Sequence, residues 1–182
     1  MSKTSAAAAK ALASSHFELF GLVPAYALDD ARLDAAYRDI QAQVHPDRYA
    51  QAGDAERRAS MQMTTRVNEA YRTLKDPVQR AKYLLALHGV DVAFETDTAM
   101  PEDFLLQQME LRERLEEAKD PAALDLFNRN LLSRKRDLER QIAEQIDVEK
   151  NFDGAKALVR KLMFFERVTG ELHDAYEALE GR

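Results

Sequence analysis

Val44-His45-Pro46-Asp47-Arg48-Tyr49 is the stretch on which the fold turns. Pro46 has no N–H and disfavours helical dihedrals at the residue before it, so a helix that reaches this point ends near Val44. Upstream, Leu33, Tyr37, Ile40 and Val44 fall at i, i+4, i+7 and i+11. That is one apolar stripe of a helix which Asp29 or Asp30 can cap. Downstream, a loop through Gly53 leads into a second stripe, Met63, Val67, Ala70, Tyr71 and Leu74, on a helix from about Ala55 to Lys75. His45-Pro46-Asp47 therefore lies in a tight connection between two amphipathic helices.

Working outward, a short helix covers His16 to Phe20 and stops at Gly21. His16 packs against it or caps it. Asp76-Pro77 breaks the longer helix, and Pro77 suits the first turn of another that runs to His88 and ends at Gly89. Residues 90–101 have no period and form the expected linker. Beyond them, helices are predicted over Glu102 to Lys119, Ala122 to Asp147, and from Asp153-Gly154 onward, separated by short breaks. Short connections between long amphipathic helices favour antiparallel neighbours. The fold class is all-α: a tail over 1–15, a helical-hairpin domain over 16–89, the linker, and a three-helix bundle over 102–182.

Composition narrows the function classes. The net charge is −6, which speaks against nucleic acid as the main partner. There is no cysteine, so neither a disulfide nor thiolate ligation of zinc or an iron–sulphur cluster is available. The histidines, at 16, 45, 88 and 173, show no close pair at metal-ligand spacing, and no metal or cofactor is expected. No stretch approaches the ~20 apolar residues of a membrane span. The Ala/Ser-rich N-terminus lacks the apolar core of a secretory signal, so the expected location is cytoplasmic.

His-Pro-Asp arises by chance in a chain of this length with odds on the order of 1%, so its context has to decide what it does. Three readings fit the residues alone: a catalytic or metal-binding pair, a presented recognition loop, or an ordinary turn. Catalysis would need a third group, and the chain holds no Gly-rich phosphate loop, no G-x-S-x-G and no H-E-x-x-H.

The surroundings resemble a J domain: Phe17-Glu18-Leu19-Phe20-Gly21-Leu22, Tyr37, the stretch from Val44 to Tyr49, and Asn68-Glu69-Ala70-Tyr71-Arg72-Thr73-Leu74-Lys75-Asp76-Pro77, with Arg80 and Tyr83 beyond. The resemblance implies that His45, Pro46 and Asp47 engage a DnaK-type chaperone and stimulate its ATPase, with Arg38 and Arg48 as further contacts. One departure stands out. The segment Asp29 to Asp39 holds Asp29, Asp30, Asp34 and Asp39 against Arg32 and Arg38 only, where general J domains carry a strongly basic helix. A specialised partner is expected.

The second half has no Gly/Phe-rich linker and no cysteine repeats. Its segments Tyr83 to Asp91, Phe104 to Glu113 and Val159 to Phe164 resemble the HscB family of iron–sulphur co-chaperones. A helical wheel at about 100° per residue puts Phe104, Leu111, Leu115 and Ala118 on one face. Leu105, Leu106 and Met109 point away from it, among Glu110, Glu113 and Glu117, and Phe164 lies off the main stripe of the last helix. By periodicity alone these apolar residues fit an exposed binding patch or a wide core equally well. The resemblance implies binding. It assigns Leu105, Leu106, Met109, Glu110, Glu113, Phe164 and, more weakly, Glu117 to an IscU-like scaffold, and the hairpin loop to an HscA-like chaperone. The chain is then a co-chaperone and not an enzyme. The alternative is a general folding J protein with broad clients.

Overall fold

A computed structural model of the chain describes residues 14–49, 51–92 and 102–180. All regular elements among them are helical. The α-helices are α1 (His16–Leu19), α2 (Asp30–Val44), α3 (Asp54–Lys75), α4 (Pro77–Leu87), α5 (Glu102–Glu117), α6 (Pro121–Ala143) and α7 (Phe152–Glu180), with single 3₁₀ and π turns at Pro46–Tyr49 and Glu144–Val148. The tail residues 1–13 and residues 93–101 of the expected linker lie outside the described part. Two compact units divide between Leu84 and Leu85, within α4.

In the first unit, α1 is held by a reciprocal capping box. The Glu18 N–H donates to Ser15 Oγ, and the Ser15 N–H donates to Glu18 Oε2 at 2.8 Å. Ser15, not His16, does the capping. His16 instead stacks on the Tyr83 ring at 4.1 Å and is buried, and burial beside the Arg66 charge lowers its pKa. Gly21, at φ +62°, turns the chain out of α1.

α2 and α3 pack antiparallel. Val44 meets Ser60 and Thr64, Tyr37 meets Asn68 and Tyr71, and Asp34 meets Lys75, so numbers rise along one helix as they fall along the other. The Tyr37 and Tyr71 rings stack at 4.0 Å. Of the two predicted stripes, Leu33, Val67, Ala70 and Leu74 are fully buried; each large aliphatic side chain removed from water contributes about 1.5–3 kcal/mol. Tyr37, Ile40, Val44, Met63 and Tyr71 are half-buried along the edge of the seam. Arg80 closes the unit: its Nη1 donates to the Leu74 carbonyl at 2.7 Å while its guanidinium lies over the Tyr26 ring.

In the second unit, α7 packs on both α5 and α6, and α5 also touches α6. α6 starts as its sequence asks, with Asp120 accepting from the Ala123 N–H at 2.8 Å and Pro121 in the first turn. Its far end loosens into a π-helical turn, Glu144–Val148. Lys150 then adopts φ +55°, and Asn151 caps α7 by accepting from the Gly154 N–H. Gly154 therefore lies inside α7 and not before it. A side chain at Gly154 would collide with Gln145 Oε1 and with Asn151 Nδ2 at 2.5 Å, so glycine lets the cap close.

Because α7 faces two neighbours, a single apolar stripe does not describe it. Ala155, Val159, Leu162, Phe165, Val168 and Leu172 are buried, and so is Phe164 on another side of the helix.

Candidate functional site: the hairpin loop and the α5 patch

Pro46–Tyr49 forms one turn of 3₁₀ helix directly after α2. His45 Nδ1 accepts from the Asp47 N–H at 3.3 Å. An accepting Nδ1 carries no proton, so in the neutral ring the proton sits on Nε2. The Asp47 carboxylate lies 3.5 Å from the same Nδ1 and would pair with it once the ring is protonated. The Asp47 side chain is 89% exposed and that of His45 52%. The loop therefore presents one carboxylate and one imidazole to solvent. Among the described residues, no third His, Cys, Asp or Glu joins them to make a metal site.

Arg48 reaches back from the 3₁₀ turn to the end of α2, where its Nη1 donates to the Ala42 carbonyl at 3.0 Å. A cation at a helix C-terminus is favourable there. Arg38 is exposed on α2. The negative balance of α2 changes once its faces are separated. Asp34 accepts from Lys75 at 2.9 Å and from the Tyr71 hydroxyl at 3.0 Å, and Asp30 lies 3.9 Å from Lys75. Those hydrogen bonds, from Lys75 first, hold the Asp34 carboxyl below its ordinary range, and the Asp34 bond raises Lys75. The outward face consists of Ala31, Arg32, Ala35, Arg38, Asp39, Ala42 and Gln43. Asp34 is thus held against α3 by Lys75, with Asp30 at the edge of the same pair, while Arg32 and Arg38 face solvent along with Asp29, Asp30 and Asp39. One sequence cannot reveal this, because Lys75 lies about forty residues away from its partners.

On α5, Phe104, Leu111 and Leu115 are buried, while Leu105, Leu106 and Met109 are 47%, 61% and 61% exposed. Glu110, Glu113 and Glu117 are exposed around them, and Glu110 pairs with Arg114 at 2.6 Å. The wheel therefore separates the two faces of α5 as expected. Phe164 requires a correction: it is 1% exposed, so it is a core residue and not part of the exposed patch. Its ring meets Phe104 edge-on at 5.6 Å and Phe165 at 5.9 Å, and the Arg112 guanidinium lies 5.9 Å over it. It lies off the main stripe because it serves the second interface of α7, the one with α5.

A helical hairpin with a presented His-Pro-Asp tip, followed by a separate helical unit, defines a J-domain co-chaperone. Residues 15–83 match the DnaJ domain model and residues 100–173 match the HSCB C-terminal oligomerisation domain model. The chain is 52% identical over 172 residues to the co-chaperone protein HscB homolog of Burkholderia vietnamiensis, covering 93% of this chain and 98% of that one. In structure it is similar to chaperone HscB from Vibrio cholerae, with a TM-score of 0.81 at 35% identity over 91% of this chain and 99% of that one. It is also similar to human co-chaperone protein HscB, with a TM-score of 0.84 at 29% identity over 88% and 81%. The chain belongs to the HscB co-chaperone family.

Proposed function

We propose that this protein delivers an IscU-like iron–sulphur scaffold to an HscA-like, DnaK-type chaperone and stimulates that partner's ATPase. The observation that carries the reading is the Leu105, Leu106 and Met109 patch, three large apolar side chains exposed among carboxylates in a chain that also presents a His-Pro-Asp loop. An apolar cluster rimmed by charge suits a protein partner. Asp47 offers a carboxylate to a chaperone arginine in a charge-assisted pair. The chain itself is a binding protein and not an enzyme: the hydrolysis takes place on the partner, the scaffold carries the cluster, and the cycle assists transfer of that cluster and maturation of iron–sulphur proteins.

Calorimetric titration with an IscU-type scaffold tests this. Wild type should saturate, and the double variant Leu105→Ala/Met109→Ala should lose at least tenfold in affinity, the size expected for central apolar contacts. Wild type that binds no scaffold, yet stimulates a DnaK-type ATPase and holds unrelated unfolded chains, would be a general folding co-chaperone.

A further inference from the structure

A helix that stops at His45 leaves its last carbonyls without helical donors. The Ala42 carbonyl would take the N–H of residue 46, which proline lacks; Arg48 Nη1 takes its place. The Gln43 carbonyl would take the Asp47 N–H, which goes instead to His45 Nδ1; the Tyr49 hydroxyl approaches Gln43 at 3.4 Å. The Val44 carbonyl would take the Arg48 N–H, which bonds to the His45 carbonyl. Two hydroxyls replace it, Ser60 Oγ at 2.7 Å and Thr64 Oγ1 at 3.1 Å, one turn apart on α3. Both lone pairs of that oxygen are thereby used.

These hydroxyls do not do what such groups do by default. A serine or threonine inside a helix bonds back to the carbonyl four residues earlier. Thr65 does so with Met61, and Thr169 with Phe165. Ser60 and Thr64 reach across to the neighbouring helix, and Ser60 is buried in doing so. The carbonyl they hold belongs to the peptide from which His45 hangs.

We propose that Ser60 and Thr64 are positioning residues for the His45–Asp47 loop, a pair of hydroxyls that fixes the plane of the Val44–His45 peptide and so the direction in which the imidazole and the Asp47 carboxylate are presented. This rests on the ATPase-stimulating role proposed above. The chaperone then meets a preorganised loop, and ordering it costs less at the encounter.

The test is a titration of a DnaK-type ATPase with wild type, Ser60→Ala, Thr64→Val and the double variant, at a temperature well below each melting midpoint. Scaffold binding and nitrogen NMR of the His45 ring are measured in parallel. The double variant should lose about tenfold in maximal stimulation, the factor that matches the part-buried Val44 carbonyl left without its two hydroxyl donors. Its scaffold affinity should be unchanged, and its His45 ring should drift from the Nε2–H tautomer toward a mixture. Thr64→Ser, which keeps the hydroxyl, should behave as wild type. A folded double variant with wild-type maximal stimulation, whatever its melting midpoint, overturns the proposal. So does a loss of stimulation with an unchanged His45 ring, because the hydroxyls would then act by touching the partner. If the double variant does not fold, the near-isosteric Thr64→Val decides by the same readouts. If wild type stimulates no DnaK-type ATPase, the functional reading fails and the ring spectrum alone decides whether the hydroxyls set the loop.

Discussion

At the scale of single residues, exposure separates side chains that present chemistry from side chains that hold others in place. Asp47 is almost wholly exposed, and its carboxylate lies beside the exposed His45 ring and not in the core. Asp47→Asn should therefore change the melting midpoint little, as surface substitutions do, within about 0.5 kcal/mol. Maximal ATPase stimulation should fall tenfold or more, because an amide cannot form the charge-assisted pair. An ATPase titration beside a thermal melt checks both halves. Met109 and Phe164 make a second contrast. Met109→Ala should leave stability nearly unchanged and weaken scaffold binding. Phe164→Ala empties a core position packed on Phe104 and Phe165, so it should cost about 3–5 kcal/mol of stability, as large-to-small core substitutions do. Chemical denaturation of both variants distinguishes the two roles. A Phe164→Ala chain as stable as wild type would contradict its place in the core.

At the scale of elements, the α2–α3 seam depends on a polar latch as well as on apolar packing. The Asp34 carboxylate is held by Lys75 and by Tyr71. Its pKa is lowered from 3.8 in the fold, so its contribution to stability is fully present above the unfolded value and is lost as pH falls through the folded one. The Lys75 pKa is raised from 10.5, so its share is present below that value and is lost as pH rises through the raised one. Asp34→Asn should be less stable than wild type at neutral pH, and the difference should shrink as the pH falls below about 4, where wild type loses the same charge. Urea titrations at several pH values measure this; a constant difference across the acid range would count against the latch. The helices themselves were legible from the sequence because their signals are local. Asp29, Asp120, Pro77 and Gly21 mark ends by their own chemistry, and Leu33, Val67 and Leu74 mark faces by period. What escaped was long-range. Lys75 holds Asp34 of α2 from the far end of α3, Ser60 and Thr64 finish a helix they do not belong to, and Phe164 looks misplaced until α7 is seen to have two neighbours.

At the scale of the molecule, the two proposed binding surfaces occupy separate compact units, the His45–Asp47 loop in one and the Leu105, Leu106 and Met109 patch in the other. In the proposed reading both surfaces bind, so the function lies in their being joined in one chain. Covalent linkage turns the second binding event into an intramolecular one and so raises its effective concentration. Two half-defective chains should then fail to complement each other. A mixture of Asp47→Ala and Leu105→Ala/Met109→Ala, each kept below its dissociation constants, contains an intact loop and an intact patch but never both on one molecule. Wild type with scaffold should stimulate the chaperone ATPase well beyond the sum of the separate effects, whereas the mixture should reach that sum and no more. Full restoration by the mixture would mean either that linkage is unnecessary or that the chains assemble through the domain matched as an oligomerisation domain. Sedimentation velocity on the same mixture separates those two: a monomeric mixture with restored activity removes the delivery mechanism, while a mixed oligomer keeps the linkage and moves it from the chain to the assembly.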